Sequence, residues 1–234
     1  MPIISTDRDA LDPYELVIFD FDGTLFDTRA SISYCIEKTF SKLGQTVPSK
    51  DAIDVMVSTG VGLEDAFHLL EADYSLTPNG LSGWISAYRE IYKAEGLALI
   101  QPFPGASALL SSLAAAKIPI AVVSNKGISA IEAVLSRAGL LSFVDQVVGD
   151  IPGMKKKPDP MTFHECIAPK FASVDPRRVM VVGDTTADIQ YAKNIGAHVC
   201  WAAYGYGEQE KCRALMPDFT AQTLVEVRDF VGGM

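Results

Sequence analysis

Three carboxylates crowd the end of one apolar run in this chain, VIFDFDGTLFDT from Val17 to Thr28, where Asp20, Asp22 and Asp27 surround a Gly-Thr turn. Two more, Asp184 and Asp188, stand four residues apart in GDTTAD, and Ser124-Asn125 follows another apolar run. Taken singly, each group is a helix N-cap, the role that Asp, Ser, Thr and Asn favour after a strand. Capping does not explain Asp20 and Asp22 together, nor Asp184 followed so closely by Asp188. Four carboxylates gathered at one sheet edge repel one another unless a cation offsets them. A hard divalent ion held by a few carboxylates and by substrate phosphate oxygens fits this pattern, and magnesium is the expected ion.

To meet, these groups must sit at the carboxyl ends of neighbouring parallel strands, where open α/β sheets bind ligands. Short apolar runs predict such strands, buried on both faces, at Leu16–Phe19, Ile118–Val123, Gln146–Val148, Val179–Val182 and His198–Ala202. Segments of helical period lie between them at Ala106–Ala116, Ser129–Ala138, Met161–Phe171 and Ala187–Ile195, with Gly139 and Gly196 where helices should end. The alternation predicts an α/β fold: a doubly wound, mostly parallel, Rossmann-like sheet with right-handed crossovers. Residues 29–99 break it. They carry helical periods at Ile32/Ile36/Phe40/Leu43, Leu63/Phe67/Leu70 and Leu81/Ile85/Tyr88, with turns at Pro48-Ser49, Gly60-Val61-Gly62 and Pro78-Asn79-Gly80. The expected organisation is a core domain from residues 1–28 and 100–234 with a helical domain, 29–99, inserted after the first strand.

Four stretches resemble, in order, the motifs of the haloacid dehalogenase-like hydrolases: DFDGTLFDT (Asp20–Thr28), Ser124-Asn125, KPDP (Lys157–Pro160) and GDTTAD (Gly183–Asp188). The helical insertion is similar to that superfamily's small α-helical cap. The shorter stretches STGVGL (Ser58–Leu63) and GYG (Gly205–Gly207) resemble phosphoglycolate phosphatase-like members. The resemblance implies a magnesium-dependent phosphatase working through an aspartyl phosphate. Asp20 is then the nucleophile, and Asp22 the acid that protonates the leaving oxygen and the base that activates water. Gly23 lets the backbone turn, and Thr24 supports the acid/base residue beside the phosphate. Ser124 and Lys157 bind the phosphoryl oxygens, and the place of Asn125 and Lys126 directly after Ser124 puts them in reach of substrate too. Magnesium is held by Asp20, the backbone carbonyl of Asp22 and Asp184, with Asp188 behind them. Asp27 is expected to cap the first cap helix, and Lys155 and Lys156 to form a solvated run beside Lys157.

The chain has 234 residues, 48% hydrophobic and 21% charged, with a net charge of −9. That charge argues against a nucleic-acid partner but allows a small phosphorylated metabolite, because a metal or a few lysines reverse the field inside one pocket. No run approaches the ~20 apolar residues of a membrane span, and the N-terminus, with Asp7, Asp9 and Asp12, lacks the pattern of a signal peptide. The scattered Cys35, Cys166, Cys200 and Cys212 show no zinc spacing with His68, His164 or His198, and indicate reduced thiols in the cytoplasm. The expected assembly is a monomer or homodimer. Residues 29–99 hold six Lys/Arg against nine Asp/Glu, with no basic or aromatic cluster suited to a nucleotide. The first substrate candidate is therefore 2-phosphoglycolate. The Gly60-Val61-Gly62 loop either offers backbone N–H groups to its carboxylate or merely joins two helices. A sugar-phosphate phosphomutase, pyrophosphatase or nucleotidase would keep the same motifs. A 2-haloacid dehalogenase would need neither Asp22 nor the Asp184/Asp188 pair, and a phospho-receiver domain would lack the insertion.

Overall fold

The computed structural model describes residues 14–70, 78–171 and 174–231; the acids Asp7, Asp9 and Asp12 lie outside them. The chain runs through β1 (Leu16–Phe19), β2 (Phe26–Asp27), α1 (Arg29–Lys42), α2 (Lys50–Ser58), α3 (Leu63–Leu70), α4 (Pro78–Ala94) and β3 (Gln101–Pro102). It continues through α5 (Ala106–Ala115), β4 (Ile120–Gly127), α6 (Ile128–Arg137), β5 (Gln146–Asp150), α7 (Ala168–Lys170), β6 (Val179–Gly183), α8 (Thr186–Ile195), β7 (His198–Ala202), α9 (Gln209–Ala214), β8 (Phe219–Ala221) and α10 (Leu224–Val231).

Six strands pair in parallel in the order β5-β4-β1-β6-β7-β8. Both faces are covered, which is why the strand sequences are continuously apolar rather than alternating. Successive residues point to opposite faces. Val17, Phe19, Val122 and Val182 enter one core cluster, whereas Leu16, Ile18, Val123 and Val181 enter the other. Each of these side chains is essentially inaccessible, and burying one such residue is worth about 1.5–3 kcal/mol. Strand β1 lies at the switch point of the winding: the chain builds β4 and β5 on one side of it and β6 to β8 on the other.

The five expected strands are present, and β4 runs further than its apolar run. Its register shifts between Val123 and Gly127, after which Gly127 pairs with Asp150. Such an irregularity re-aims side chains, and here it carries Ser124, Asn125 and Lys126. No local pattern signals the three-residue edge strand β8 or the two-residue antiparallel pair β2–β3. The helix expected over Met161–Phe171 is irregular, with a wide π turn at Phe163–Ile167 running into α7. Pro169 follows that turn and has no N–H to continue a regular ladder.

Helices α1 to α4 lie between β2 and β3; the periodicity anticipated α1, α3 and α4 but not α2, and the turn expected at 78–80 is instead the first turn of α4. Proline is well suited to a first helical position because its missing N–H has no partner there anyway. These helices close on Phe40, Phe67, Trp84, Tyr88 and Tyr92, whose rings lie 4.6 to 6.3 Å apart in sequence along the cluster. An aromatic cluster is thus present where none was expected, but its rings chiefly pack against one another. Only Tyr88 and Tyr92 among them line the cavity between the helices and the sheet. Among the described residues, no helix is long and apolar enough to cross a membrane.

Candidate active site

Register brings the acids together. Phe19 pairs with Val122 on one side and Val182 on the other, so Asp20 emerges between Ser124 and Gly183-Asp184. Its N–H donates to the Val182 carbonyl at 2.8 Å, fixing the start of the loop. Gly23 then turns the chain with φ +82, and a Cβ there would lie 2.3 Å from Asp184 Oδ2. Any side chain at this position strains the backbone and strikes the carboxylate.

Asp20, Asp184 and Asp188 each offer a carboxylate oxygen within 4.8 Å of the others, and all three are buried. Lys157 Nζ donates to Asp20 Oδ1 at 2.6 Å and to Asp188 Oδ1 at 2.5 Å. Asp188 Oδ2 accepts from the Thr185 N–H and hydroxyl, a capping box at the start of α8. Asp184 is held by Thr24 Oγ1 at 3.2 Å and the Tyr206 N–H at 2.7 Å.

Burial dominates the titration of this cluster. It pushes Asp20 up to about 7 against the opposing pull of Lys157, with Asp188 adding to the rise. Burial, then Asp20 and Asp188, hold Asp184 well above the ordinary carboxylate range. Burial alone would lower Lys157, but Asp188 and Asp20 beside it raise it instead. When ionised, three carboxylates against one ammonium leave two negative charges uncompensated in a water-poor site. A divalent cation would offset that excess, and each carboxylate retains a lone pair beyond its hydrogen bonds. The donor set, all hard oxygens, suits magnesium.

Asp22 stands apart from this trio. Its carboxylate faces Lys126 Nζ at 3.1 and 3.4 Å, so any part it takes in metal binding falls to its backbone carbonyl. Asp20, Asp22, Ser124, Asn125, Lys157 and Asp188 all line one cavity of about 150 Å³ between the sheet edge and the helices. Thr24 does not. It is fully buried and holds Asp184 rather than Asp22, so the expectation that it touches phosphate or supports the acid/base residue is corrected. Asn125 borders the cavity with its amide already engaged. Its Oδ1 accepts from the Lys157 N–H at 2.9 Å, and its Nδ2 donates to the carbonyls of Gly60 at 2.9 Å and Lys157 at 3.3 Å. Asn125 therefore fixes the lysine's backbone and ties the helical segment to the sheet.

The neighbouring lysines differ as expected in one case only. Lys155 is exposed and pairs with Asp159, whereas Lys156 reaches Asp65 of α3 at 3.4 Å and Asp150 at 3.9 Å. The Gly60 loop joins α2 to α3, and its Gly60 N–H is engaged with the Val57 carbonyl. A Cβ on Gly60 would lie 2.8 Å from Thr185 Oγ1, so the glycine permits close docking on the sheet. Asp27 accepts from the Arg29 N–H at 3.3 Å, but the N-cap of α1 is Thr28, so Asp27 stands one residue before the capping position expected of it.

Sequence reasoning missed two residues. Tyr206 links Asp184 to the hinge into α1: its N–H holds that carboxylate, and its hydroxyl donates to Asp27 and accepts from the Thr28 and Arg29 N–H groups. The available signal was its place between two glycines; a Cβ on Gly205 would lie 2.3 Å from Asp184 Cβ. Lys126, directly after Ser124-Asn125, was expected to approach substrate but not to pair with Asp22.

A family model described as haloacid dehalogenase-like hydrolase matches residues 17–202. A phosphoglycolate phosphatase of Nitrosospira multiformis is 30% identical over 220 residues, covering 90% of this chain and 95% of that protein. One of Aquifex aeolicus is 29% identical over 205 residues, covering 88% and 91% respectively. Among solved structures, a haloacid dehalogenase-like family hydrolase of Streptococcus pneumoniae superposes with a TM-score of 0.79 at 26% identity, covering 93% of this chain and 98% of that one.

Proposed function

The chain belongs to the haloacid dehalogenase-like hydrolases, and from that premise we propose that it is a magnesium-dependent phosphatase of a small phosphomonoester, with 2-phosphoglycolate the first candidate. The observation that carries the reading is the buried Asp20–Asp184–Asp188 trio facing Lys157, with Asp20 bordering a cavity of about 150 Å³. A cavity of this size favours a small substrate over a nucleotide. The naming of the similar phosphoglycolate phosphatases points the same way.

In this reading, residues 29–99 act as a cap over a core made of 1–28 and 100–234. Substrate phosphate lies against Ser124 and Lys157, which neutralise and orient its oxygens. Asp20 Oδ attacks phosphorus, and the bond from phosphorus to the ester oxygen breaks. Asp22 gives that oxygen its proton, releasing the alcohol. A water molecule then loses a proton to Asp22 and attacks the same phosphorus, freeing inorganic phosphate and restoring Asp20. Asp20, Asp184 and the Asp22 carbonyl would hold magnesium, with Asp188 positioning Lys157 beside it. The bound ion supplies charge compensation to the carboxylates and to the phosphoryl oxygens. Four unpaired cysteines suit a reducing, cytoplasmic setting.

The test is phosphate release from 2-phosphoglycolate, sugar phosphates, pyrophosphate and nucleoside monophosphates, with magnesium and in excess chelator. The reading expects magnesium-dependent hydrolysis with the highest kcat/KM for 2-phosphoglycolate. Preference for another class would overturn the substrate, and full activity in chelator would overturn the metal.

A further inference from the structure

We propose that Lys126 determines specificity by exchanging partners: it holds Asp22 in the free enzyme and passes to a second acidic group on the bound substrate. This rests on the phosphatase reading above and narrows the substrate to phosphomonoesters whose leaving part is itself an acid.

Lys126 lies in the irregular part of β4, its side chain 11% exposed. Its ammonium contacts both carboxylate oxygens of Asp22 and sits 4.9 Å from the centre of the Tyr92 ring. The cavity it borders is also lined by the apolar or aromatic Ile32, Ile36 and Tyr88. Asp22 therefore cannot turn to the ester oxygen of a phosphate at Asp20 while both its oxygens face Lys126. Its departure alone would strand a buried ammonium without counter-charge, which is strongly unfavourable. A substrate that brings its own anion to Lys126 removes that obstacle, and one that lacks it does not.

The geometry also limits where the anion lies. The Lys126 contact and the contact to the leaving oxygen both start from one carboxylate, so the acidic group and the ester oxygen are only a few bonds apart. A carboxylate on the carbon that bears the ester oxygen meets this requirement. Arg89 of α4 borders the same cavity and has no ion pair or hydrogen bond among the described residues, so it adds positive charge to the cavity. The phosphate end, by contrast, has its cation already engaged by Asp20 and Asp188. The cavity thus has two unlike ends, one for the phosphoryl group and one for an acid.

The experiment compares 2-phosphoglycolate with ethyl phosphate, which replaces the carboxylate by a methyl group, in the wild type, Lys126→Met and Lys126→Arg. A site built for a polar group discriminates strongly against an analogue that lacks it. The wild type should prefer 2-phosphoglycolate by about 10²-fold or more in kcat/KM. Lys126→Met should lose most of that preference from both sides, with kcat/KM falling on 2-phosphoglycolate and rising on ethyl phosphate as Asp22 is freed, and Lys126→Arg should keep much of it. Retained ethyl phosphate hydrolysis also shows that the variant is folded. A preference that survives Lys126→Met overturns the role of Lys126 and leaves the substrate reading standing. An equal fall on both substrates, with Lys126→Arg no better, also overturns it in favour of a structural role. A wild type that ignores the carboxylate overturns both.

Discussion

Replacing Asp20 by Asn should stabilise the metal-free protein while abolishing its activity. Burial lifts Asp20 from 3.8 to about 7, despite its 2.6 Å contact with Lys157. An acid whose folded value lies above its unfolded one binds a proton more tightly in the folded state. Stability therefore falls as pH rises from about 4 to about 7 and stays low above that. The loss amounts to about 2 kcal/mol at pH 5 and about 4 kcal/mol at pH 8. Asn carries no charge to bury, and its carbonyl still accepts from Lys157, which also keeps Asp188. At ~2–4 °C per kcal/mol for a chain of this size, Asp20→Asn should raise Tm by roughly 10 °C at pH 8 and by about half as much at pH 5. The assay is thermal unfolding followed by circular dichroism in excess chelator at both pH values. Magnesium should then raise the wild-type Tm more than that of the variant, because the ion offsets the same charge. A variant less stable than wild type at pH 8, or a gap independent of pH, would refute the account of the cluster.

The remaining expectations concern turnover and the metal. Asp22→Asn should slow turnover by about 10²-fold or more, the scale for losing an acid/base group, while rapid-quench measurements still detect some phosphoryl transfer to the protein. Chelator should stop phosphate release, magnesium should restore it and calcium should do so poorly, because its coordination is larger and looser; metal titrations of Asp184→Ala should show weakened dependence together with lower activity. Gly205→Ala places a methyl 2.3 Å from Asp184 Cβ and 2.5 Å from the Gly23 carbonyl; overpacking of this kind costs about 1–3 kcal/mol, so both Tm and apparent magnesium affinity should fall.

The parts of the molecule that were legible in the sequence are those written in local pattern. Strands buried on both faces are continuous apolar runs, so β1, β6 and β7 were placed within a residue of their ends. The convergence of Asp20, Ser124 and Asp184 also followed, because a parallel sheet brings the strand ends together, whereas Lys157 was placed only by its motif. What escaped depends on contacts between distant segments. Strand β8 has three residues and no periodicity of its own; it exists because β7 offers an edge. Thr24 looked like a partner for Asp22, two residues away, yet its hydroxyl reaches Asp184 across 160 positions. The pairing of Lys126 with Asp22 and of Asn125 with the Gly60 loop requires the helical segment to be docked, which no local pattern encodes. The aromatic residues of that segment were visible one by one, but their clustering emerges only when four helices pack.

The central claim, that Asp20 takes the phosphoryl group, is tested most directly by trapping. The enzyme is mixed with 2-phosphoglycolate and magnesium, quenched within one turnover and reduced with borohydride, which converts an aspartyl phosphate to homoserine. Peptide mass spectrometry should place that change at Asp20 alone in the wild type and find none in Asp20→Asn. Homoserine at another aspartate, or no trapped product while wild-type enzyme turns over, would contradict the mechanism.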